Sequence, residues 1–479
     1  MSENRHGSTR TPAEARALAR EISADLAALP GDPLVHRSLD LTKAFEQVLF
    51  TAFRAPEATP FRPAAGWRTR ARGPAAAVDA VRGRSPDEPA DLMVLLLASV
   101  HHRLFVPVAD ELGRRDPRLR AGLVRAARAA RDPELASLPS TAGALRARDA
   151  LTASRPAVDA RAARPVVDAR RDRLSPSEAS ALVSSIGDTL VRLRIEAMRL
   201  DAAVARVCPR AIAAYDEIDA WSRLVAAVAA RRGIVTVDLP HAEAADAEAI
   251  RGVGYDLMGV FGPRAARVVG AAGVDPARVR IVGPAAFDAI VLAEPRRVDE
   301  PPRVVMAAQY RNRLMTDDVR AGILDAAAAS AAAIGAVLKV CPHPVESLDA
   351  WTAAADRTAA GRRVVIDVEP TGSLHRLLPG AALMVTGWSN SVFESVLAGV
   401  PALTVHLLPG DPPVSFASEG IAAEAKTADE AARIAPSLAS EPGRSSSVAR
   451  ARTALEAHLG PLDGRAAERT ADLLVEALA

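Results

Sequence analysis

The sequence VTGWSNSVFESVLAGVPALTVHL, residues 385–407, joins two short apolar runs through a polar turn and a segment with helical apolar spacing. This pattern is typical of a buried parallel strand, a crossover helix and a second buried strand. The turn holds four small or polar residues: Gly387, Ser389, Asn390 and Ser391. A carboxylate, Glu394, follows within one helical turn. The stretch therefore predicts an α/β fold with polar groups concentrated where a strand ends.

Two interpretations of this turn fit the residues. Ser391 is a natural helix N-cap, and Glu394 three residues later would complete a capping box that only stabilises the helix. A capping box uses two polar residues, however, and Ser389 and Asn390 lie beside it. At the end of a strand, helix amides and the helix dipole attract phosphate, and a carboxylate one turn in can reach ribose hydroxyls. The residues alone leave both interpretations open.

Strand and helix patterns alternate in two blocks of the 479-residue chain, 91–295 and 303–445, separated by the linker AEPRRVDEPP at 293–302. Alternation of this kind predicts two doubly wound, Rossmann-like domains with parallel sheets. Ligands of such sheets bind beyond the carboxyl ends of the strands, so we expect a site in a cleft between the domains.

Three segments fall outside this alternation. Residues 1–90 are predicted to form a helical and irregular N-terminal extension, and residues 446–479 helices that pack back across the domains. Residues 145–175 are charged and contain prolines, and they carry the imperfect duplication RPAVDAR and RPVVDAR. Because two copies are too few for a repeat architecture, this segment is predicted as an exposed loop.

Other strand ends of the second block also carry polar residues. LKVCPHP at 338–344 places His343 between two prolines that fix its backbone. Gln309 and Arg311 follow the strand that begins at 303, and an arginine there could balance phosphate charge. Lys339 lies in mid-strand, where it either reaches the ligand or simply packs. The alternative for His343 is a loop histidine that stabilises a turn.

In the first block, Asp216 and Glu217 end one predicted strand and His241 ends the next. A carboxylate or an imidazole in this position could act as general base toward an acceptor hydroxyl. The alternative is that the two acids cap a helix and that the histidine is structural. His101 and His102 follow the first strand of the block and are candidates for acceptor binding.

Composition excludes several classes of protein. The chain has 60 basic and 58 acidic residues, which gives no case for nucleic acid binding through a net positive field. Its two cysteines, Cys208 and Cys341, suggest neither a disulfide framework nor a Cys/His metal site, and a reducing cytoplasm is the simplest location. The N-terminal residues lack the apolar core of a signal peptide. No Walker, GxGxxG, HExxH or GxSxG motif is present.

Three segments resemble the GT-B glycosyltransferase superfamily. They are the Lys339 to Pro344 pattern K-x-x-P-H-P, the pattern from Thr386 through Ser389, Ser391 and Glu394 to Gly399-x-Pro401, and GYDLMGVFGPRAARVVGAAGVDPARVRIVGPAAFDAI at 254–290. DGRAAERTADLL at 463–474 is similar to the closing helix of these enzymes. The nearest branches are bacterial capsule and surface-polysaccharide enzymes, CDP-glycerol glycerophosphotransferase-like proteins and, more distantly, UDP-N-acetylglucosamine 2-epimerases. The likeness spans about residues 91–479.

This resemblance implies that the second domain binds the nucleotide diphosphate of a sugar donor. His343, Ser389, Asn390 and Ser391 would then lie near phosphate and Glu394 near ribose. Relatives carry a Gln-His-Gly turn where this chain has Pro240-His241-Ala242. The chain departs from the family here, and the loss of the glycine bears on the acid/base role of His241 because it changes how closely backbone and ligand can approach.

We therefore expect a metal-independent glycosyltransferase with no cofactor. It would transfer sugar from a nucleotide-sugar donor to a glycan or lipid-linked hydroxyl acceptor in surface or secreted glycan synthesis. A cytoplasmic location, with contact to the inner face of the membrane left open, fits this expectation. The alternatives are glycerol-phosphate transfer from CDP-glycerol and a non-catalytic nucleotide-sugar-binding protein.

Overall fold

A computed structural model describes residues 10–54, 85–129, 132–153, 160–215, 218–244, 246–294, 296–311, 315–343, 346–407, 412 and 414–479. These residues form two compact units. Unit 1 comprises the described residues up to Val260 together with Ala265–Ala286 and Ala467–Ala479. Unit 2 comprises Phe261–Arg264 and Phe287–Ala466. None of the helices within the described ranges combines the length and apolar character that a membrane crossing demands.

The first part of the chain contains eight strands and eleven helices within its described residues. They are α1 (Pro12–Ala27), β1 (Val35–His36), β2 (Leu39–Asp40), α2 (Thr42–Phe53), β3 (Leu92–Leu96), α3 (Ser99–Arg115), β4 (Ala121–Arg125), α4 (Thr141–Ala144), α5 (Ala147–Ala153), α6 (Ala160–Asp168), α7 (Pro176–Val207), β5 (Ala211–Tyr215), α8 (Ala220–Arg232), β6 (Val235–Leu239), α9 (Ala247–Ile250), β7 (Leu257–Val260), α10 (Pro263–Ala271), β8 (Val279–Ile281) and α11 (Asp288–Leu292).

The remainder of the chain again alternates strand and helix. Its described elements are β9 (Arg303–Ala307), α12 (Asp317–Ala333), β10 (Val337–Cys341), α13 (Leu348–Arg362), β11 (Ile366–Val368), α14 (Leu374–Leu377), β12 (Leu383–Thr386), α15 (Ser391–Leu397), β13 (Ala402–Val405), β14 (Ala423–Ala425), α16 (Ala428–Ala439), α17 (Gly443–Leu459) and α18 (Ala466–Leu478).

Each unit is built on a six-stranded parallel sheet. The strand order is β4-β3-β5-β6-β7-β8 in unit 1 and β11-β10-β9-β12-β13-β14 in unit 2. The strand order reverses direction between β3 and β5 and between β9 and β12, and such a switch point opens a crevice at the carboxyl ends of the strands. The prediction of two doubly wound parallel sheets is confirmed.

Helices cover both faces of the unit 1 sheet, which explains why all five residues of β3 and all five of β5 are buried. One face packs against apolar residues of α1, α2, α7 and α8. The other face packs against α3 and the C-terminal helix α18. The first two helices, which the sequence suggested as part of an extension, thus contribute Leu18, Ile22 and Phe45 to the core of unit 1.

Residues 145–175 differ from the exposed loop expected from the sequence. They contain α5 and α6 and the turn before α7, and the second copy of the duplication, RPVVDAR, lies largely within α6. Val166 and Val167 are buried against the unit 1 core, and Ala150 is buried in a small cluster with residues of α7. The arginines and prolines of this segment dominate its sequence, so its short apolar face is recognised only from its packing against α7.

In unit 2, apolar residues of β9, β10, β12 and β13 pack against α12, α13 and α16 on one face of the sheet. Helix α15 packs against α17, where the ring of Phe393 lies 5.2 Å from the ring of His458. The start of α15 is thereby fixed at the carboxyl end of β12, directly at the unit 2 switch point.

Candidate functional site

The turn between β12 and α15 is tied to the neighbouring strand β9. The hydroxyl of Thr386 donates a buried hydrogen bond of 2.7 Å to the carbonyl of Ala307. At the next residue, a Cβ on Gly387 would lie 2.4 Å from Oε1 of Gln309 and 2.5 Å from Cε of Met315. An alanine at this position would have to push the ends of both side chains aside, whereas glycine lets Gln309 reach the turn.

Gln309 binds the backbone of this turn. Its Oε1 accepts a hydrogen bond of 3.0 Å from the amide of Trp388, and its Nε2 donates one of 3.4 Å to the carbonyl of the same residue. The sequence suggested Gln309 as a ligand for the nucleotide. In the structure, both polar atoms of its carboxamide are instead engaged with protein backbone.

The predicted capping box at the start of α15 is not formed. The N-cap is Asn390, whose side chain makes no capping hydrogen bond, and its φ and ψ of −58° and −14° are already helical. The amide of Ser391 donates to Oγ of Ser389 at 3.3 Å. The amides of Val392 and Phe393 donate to the carbonyls of Ser389 and Asn390 at 3.0 and 2.9 Å. The first turn is therefore closed without the side chains of Ser391 and Glu394.

Those two side chains carry buried polar atoms. Oγ of Ser391 and Oε2 of Glu394 are both enclosed, and neither has a hydrogen-bond partner within the part of the chain that the structure describes. The Glu394 side chain is 15% exposed, and Nδ1 of His375 lies 3.4 Å from its Oε2, a contact without hydrogen-bond geometry. Burial raises the pKa of Glu394, although the charge of His375 opposes the shift.

His343 lies at the end of β10 and packs against Tyr310, with ring centroids 4.8 Å apart. Its carbonyl accepts a hydrogen bond of 2.9 Å from the amide of Glu346. Burial lowers the pKa of His343, and the nearby charge of Glu346 only partly opposes this shift. The imidazole is therefore neutral at neutral pH, so it can donate one hydrogen bond to an anion but adds no positive charge.

The two cations suggested for the site are placed differently. The guanidinium of Arg311 lies 3.4 Å from Asp317 and is 70% exposed. Nζ of Lys339 contacts Asp367 at 2.7 Å and Glu369 at 3.1 Å. The hydrogen bond to Asp367 is the main reason why the pKa of Lys339 is raised. Lys339 thus points toward β11, which lies on the opposite side of β10 from β12 in the strand order.

At the switch point of unit 1, three aromatic rings form a cluster. His101, in the first turn of α3, lies 4.9 Å from the ring of Tyr215 and 5.4 Å from the ring of His241. His101 is 4% exposed, and its Nδ1 accepts a hydrogen bond of 3.2 Å from the amide of Leu97. The ring of His101 is therefore held by packing against Tyr215 and by the amide of Leu97. No ring contact joins His102 to this cluster among the described residues.

The two predicted acids of unit 1, Asp216 and Glu217, lie outside the described residues. Tyr215 directly precedes them and was not singled out from the sequence. It is 2% exposed, and burial raises its pKa. Its position at the end of an apolar run is the same signal that identified His241.

Unit 2 holds further groups that sequence reasoning missed. A small surface pocket lies next to the Gly387–Trp388 turn. Its polar lining includes Thr404, His406 and Glu424. Nδ1 of His406 lies 3.8 Å from Oε2 of Glu424. His406 directly follows an apolar run, so the strand-end rule could have found it. His375, on a single-turn helix, gave no such signal.

No protein-family model matches the chain, and no curated protein sequence matches it. Solved structures do share its fold. A Listeria monocytogenes protein assigned as a UDP-N-acetylglucosamine 2-epimerase gives a TM-score of 0.53 at 14% identity, over 81% of this chain and 96% of that chain. The UDP-GlcNAc 2-epimerase from Neisseria meningitidis, solved with UDP-GlcNAc, gives 0.51 at 9% identity, over 80% and 99%. At these identities the likeness concerns the fold alone.

Proposed function

We propose that this chain, which has the GT-B fold, is a glycosyltransferase that moves a sugar from a nucleotide-activated donor to a hydroxyl acceptor. In this proposal unit 2 binds the nucleoside diphosphate of the donor. The observation that carries it is the pair of buried polar atoms at the start of α15, Oγ of Ser391 and Oε2 of Glu394.

Such atoms are costly unless a ligand uses them. A buried polar group without a partner costs about 1–3 kcal/mol, and more when it is charged. The vicinal hydroxyls of a ribose can both donate to one carboxylate, and the Ser391 hydroxyl can donate to a ligand oxygen. A nucleotide that offers these groups would remove the cost at Glu394. The helix itself has no use for either side chain, since its first turn is closed by other groups.

The diphosphate would lie beside Ser389, Asn390 and Ser391. Three first-turn amides of α15 already have acceptors, so side chains must supply much of the binding. His343 can donate one hydrogen bond as a neutral imidazole. Arg311 is an exposed cation at this strand edge and can turn toward an anion, because its ion pair with Asp317 is solvent-exposed and therefore weak. The proposal includes no metal ion, so EDTA should leave nucleotide affinity unchanged.

The acceptor side of the proposal rests on unit 1. His241 would act as general base toward the acceptor hydroxyl, alone or with Asp216 or Glu217, and His101 would hold its ring in place through the tilted ring contact. His102 remains a proposed acceptor contact. A glycan or lipid-linked acceptor at the inner face of the membrane, reached from the cytoplasm, completes the proposal.

Calorimetric titration with UDP, GDP, CDP and CMP-linked donors tests the nucleotide site. We expect one base to bind clearly more tightly than the others, and a preference for CDP-glycerol over nucleotide sugars would favour glycerol-phosphate transfer. Failure to bind any of these ligands would overturn the proposal.

A second candidate is a non-catalytic protein that binds a nucleotide sugar. The specific observation in its favour lies around His241: the neighbouring ring of His101 is buried, and the turn reads Pro240-His241-Ala242 where relatives have Gln-His-Gly. The variant His241→Ala separates the two. A glycosyltransferase should lose most of its turnover while keeping its affinity for the donor. Donor binding with no turnover in the wild-type protein, across candidate acceptors, would favour the non-catalytic function.

A further inference from the structure

The loop that follows β9 contacts two parts of the candidate nucleotide site. Gln309 binds the backbone of Trp388, and the ring of Tyr310 packs on His343. The amide of Arg311 donates a hydrogen bond of 3.1 Å to Oε1 of Glu346, which follows the His343 loop. Three consecutive residues therefore connect the turn before α15 with the end of β10.

We propose that Gln309 is a positioning residue whose carboxamide clamps the turn before α15 and thereby places Ser391 and Glu394, without contacting the ligand itself. The inference rests on the proposed function, because it concerns the same nucleotide site. It assigns Gln309 a role different from the one its position after a strand suggests.

The geometry supports a clamp for two reasons. A carboxamide that accepts from the amide and donates to the carbonyl of one residue fixes both the position and the rotation of that peptide segment. The hydrogen bond from Thr386 to Ala307 and the absence of a side chain at Gly387 bring the two strand ends close enough for this contact.

The clamp lies close to the groups that it would place. Trp388 is three residues before Ser391, and the intervening turn is stiffened by the hydrogen bond from the amide of Val392 to the carbonyl of Ser389. A displacement at Trp388 therefore moves the first turn of α15 as a unit. Ser391 and Glu394 move with it.

The first test measures the clamp without any ligand. In hydrogen exchange followed by NMR, with the Trp388 signal assigned through Trp388→Phe, the Trp388 amide should be protected in the wild-type protein. Gln309→Met keeps the size of the side chain but removes both hydrogen bonds, and Gly387→Ala drives the carboxamide away from the other side. Both variants should exchange this amide at least about tenfold faster, the equivalent of one lost hydrogen bond. Unchanged protection in Gln309→Met would overturn the clamp.

A matched control is Glu430→Gln, on the first turn of α16 in the same unit and outside the proposed site. Glu430 accepts from the amide of Lys426 at 2.7 Å and is 40% exposed. The Trp388 amide should remain protected in this variant. Loss of protection there would show that the amide responds to any change in unit 2, which would also count against a specific clamp.

The second test distinguishes positioning from direct contact by shortening the ligand. If Gln309 places Ser391 and Glu394, Gln309→Met should weaken binding of the free nucleoside by about 5- to 30-fold through Glu394, and binding of the nucleoside diphosphate by at least as much, because Ser391 is displaced as well. If Gln309 touched the diphosphate, only the diphosphate would lose affinity, and the inference would be wrong. Equal affinity of wild type and variant for both ligands would also overturn it.

A conservative variant supplies a rescue. In Gln309→Glu the ionised carboxylate cannot donate to the carbonyl of Trp388, whereas the protonated acid can. Its affinity relative to wild type at the same pH should therefore recover as pH falls, and that of Gln309→Met should not. If neither ligand binds to the wild-type protein, the proposed function fails, and the exchange experiment alone decides whether the clamp exists.

Discussion

The starts of α7 and α15 carry the same sequence pattern, Ser-x-x-Glu, and use it differently. At α7, Oγ of Ser175 accepts from the amide of Glu178 at 3.3 Å, and Oε2 of Glu178 accepts from the amide of Ser175 at 2.8 Å. At α15, the corresponding atoms of Ser391 and Glu394 are buried and make no hydrogen bond within the described residues. A pattern that closes a helix in one region thus leaves two polar groups available in the other.

The backbone before each helix explains the difference. Ser175 is extended, with φ and ψ of −64° and 154°, which directs its side chain back over the free amides of the first turn. At α15 the residue before Ser391 is already helical, so Ser391 lies inside the first turn. Its hydroxyl therefore cannot cap the helix. Gln309 binds the backbone of Trp388, which lies two residues before Asn390. This tertiary contact accompanies the early helical start of α15.

The largest expected effect is on ligand affinity. Glu394→Gln keeps the shape of the side chain but replaces a charged acceptor, so nucleotide affinity should fall by about 10- to 100-fold, the usual value of hydrogen bonds to a charged group. Calorimetry at pH 7.5 measures it. The 2′-deoxynucleotide, which offers one hydroxyl fewer, should lose less affinity in the variant than the ribonucleotide does.

Glu178→Gln is the matched control for this substitution, since it changes the same residue type at the same helical position in the other region. Its nucleotide affinity should equal that of the wild-type protein. Equal affinities for all three proteins would show that the Glu394 carboxylate does not bind ribose.

The second effect is the pH dependence of stability, which has opposite signs at the two glutamates. Burial raises the pKa of Glu394 above 4.5, so above this pH the folded protein binds the extra proton and its stability falls as pH rises. At Glu178 burial also acts to raise the pKa, but hydrogen bonds from Arg10 and Ser175 outweigh it and lower the pKa below 4.5. Its contribution to stability is therefore lost as pH falls. Each group can change the free energy of unfolding by at most about 1.4 kcal/mol per pH unit.

Urea denaturation between about pH 2 and 8 measures this contrast as the difference between each glutamine variant and the wild type, because the contribution of Glu178 is lost only below about pH 4.5. Glu394→Gln should gain stability over the wild type as pH rises from about 4.5 and then level off. Glu178→Gln should be less stable at neutral pH, with a deficit that disappears in acid. Parallel curves for the two variants would mean that the two carboxylates lie in similar environments.

The fold could be predicted from the sequence because strands buried on both faces give continuous apolar runs. The run ALMVTG at 382–387 corresponds to β12 at Leu383–Thr386, and the helix after it begins at Ser391 as its apolar spacing indicated. The segment 145–175 could not be predicted, since its apolar residues form a helical face only in contact with α7.

The candidate site could be predicted only to the level of strand ends. That rule placed His343, Ser391 and Glu394 at the carboxyl edge of one sheet, where the structure has them. It could not tell which way a side chain faces. Lys339 on β10 reaches Asp367 because β11 is a direct neighbour of β10 in the sheet. Gln309 follows β9, and it reaches the backbone of Trp388 because β12 is a direct neighbour of β9. Strand order is a property of the whole sheet, which no local pattern contains.

The third effect compares the two serines. Ser175→Ala removes a capping hydroxyl and should lower the free energy of unfolding by about 1 kcal/mol while leaving nucleotide affinity unchanged. A loss of affinity in this variant would indicate that the cap of α7 also affects ligand binding.

The smallest change in stability is expected from Ser391→Ala. Because the Ser391 hydroxyl is buried and makes no hydrogen bond within the described residues, replacing it with hydrogen removes an unsatisfied polar group. The free energy of unfolding should stay within about 0.5 kcal/mol of the wild-type value or rise, whereas the same substitution at Ser175 lowers it. Nucleotide affinity should fall by about 10-fold, the lower end of the range for a hydrogen bond to a charged group, since the hydroxyl is proposed to lie beside the diphosphate. A loss of stability equal to that of Ser175→Ala, with full nucleotide affinity, would show that Ser391 is a helix cap in solution and that the two regions use the pattern in the same way.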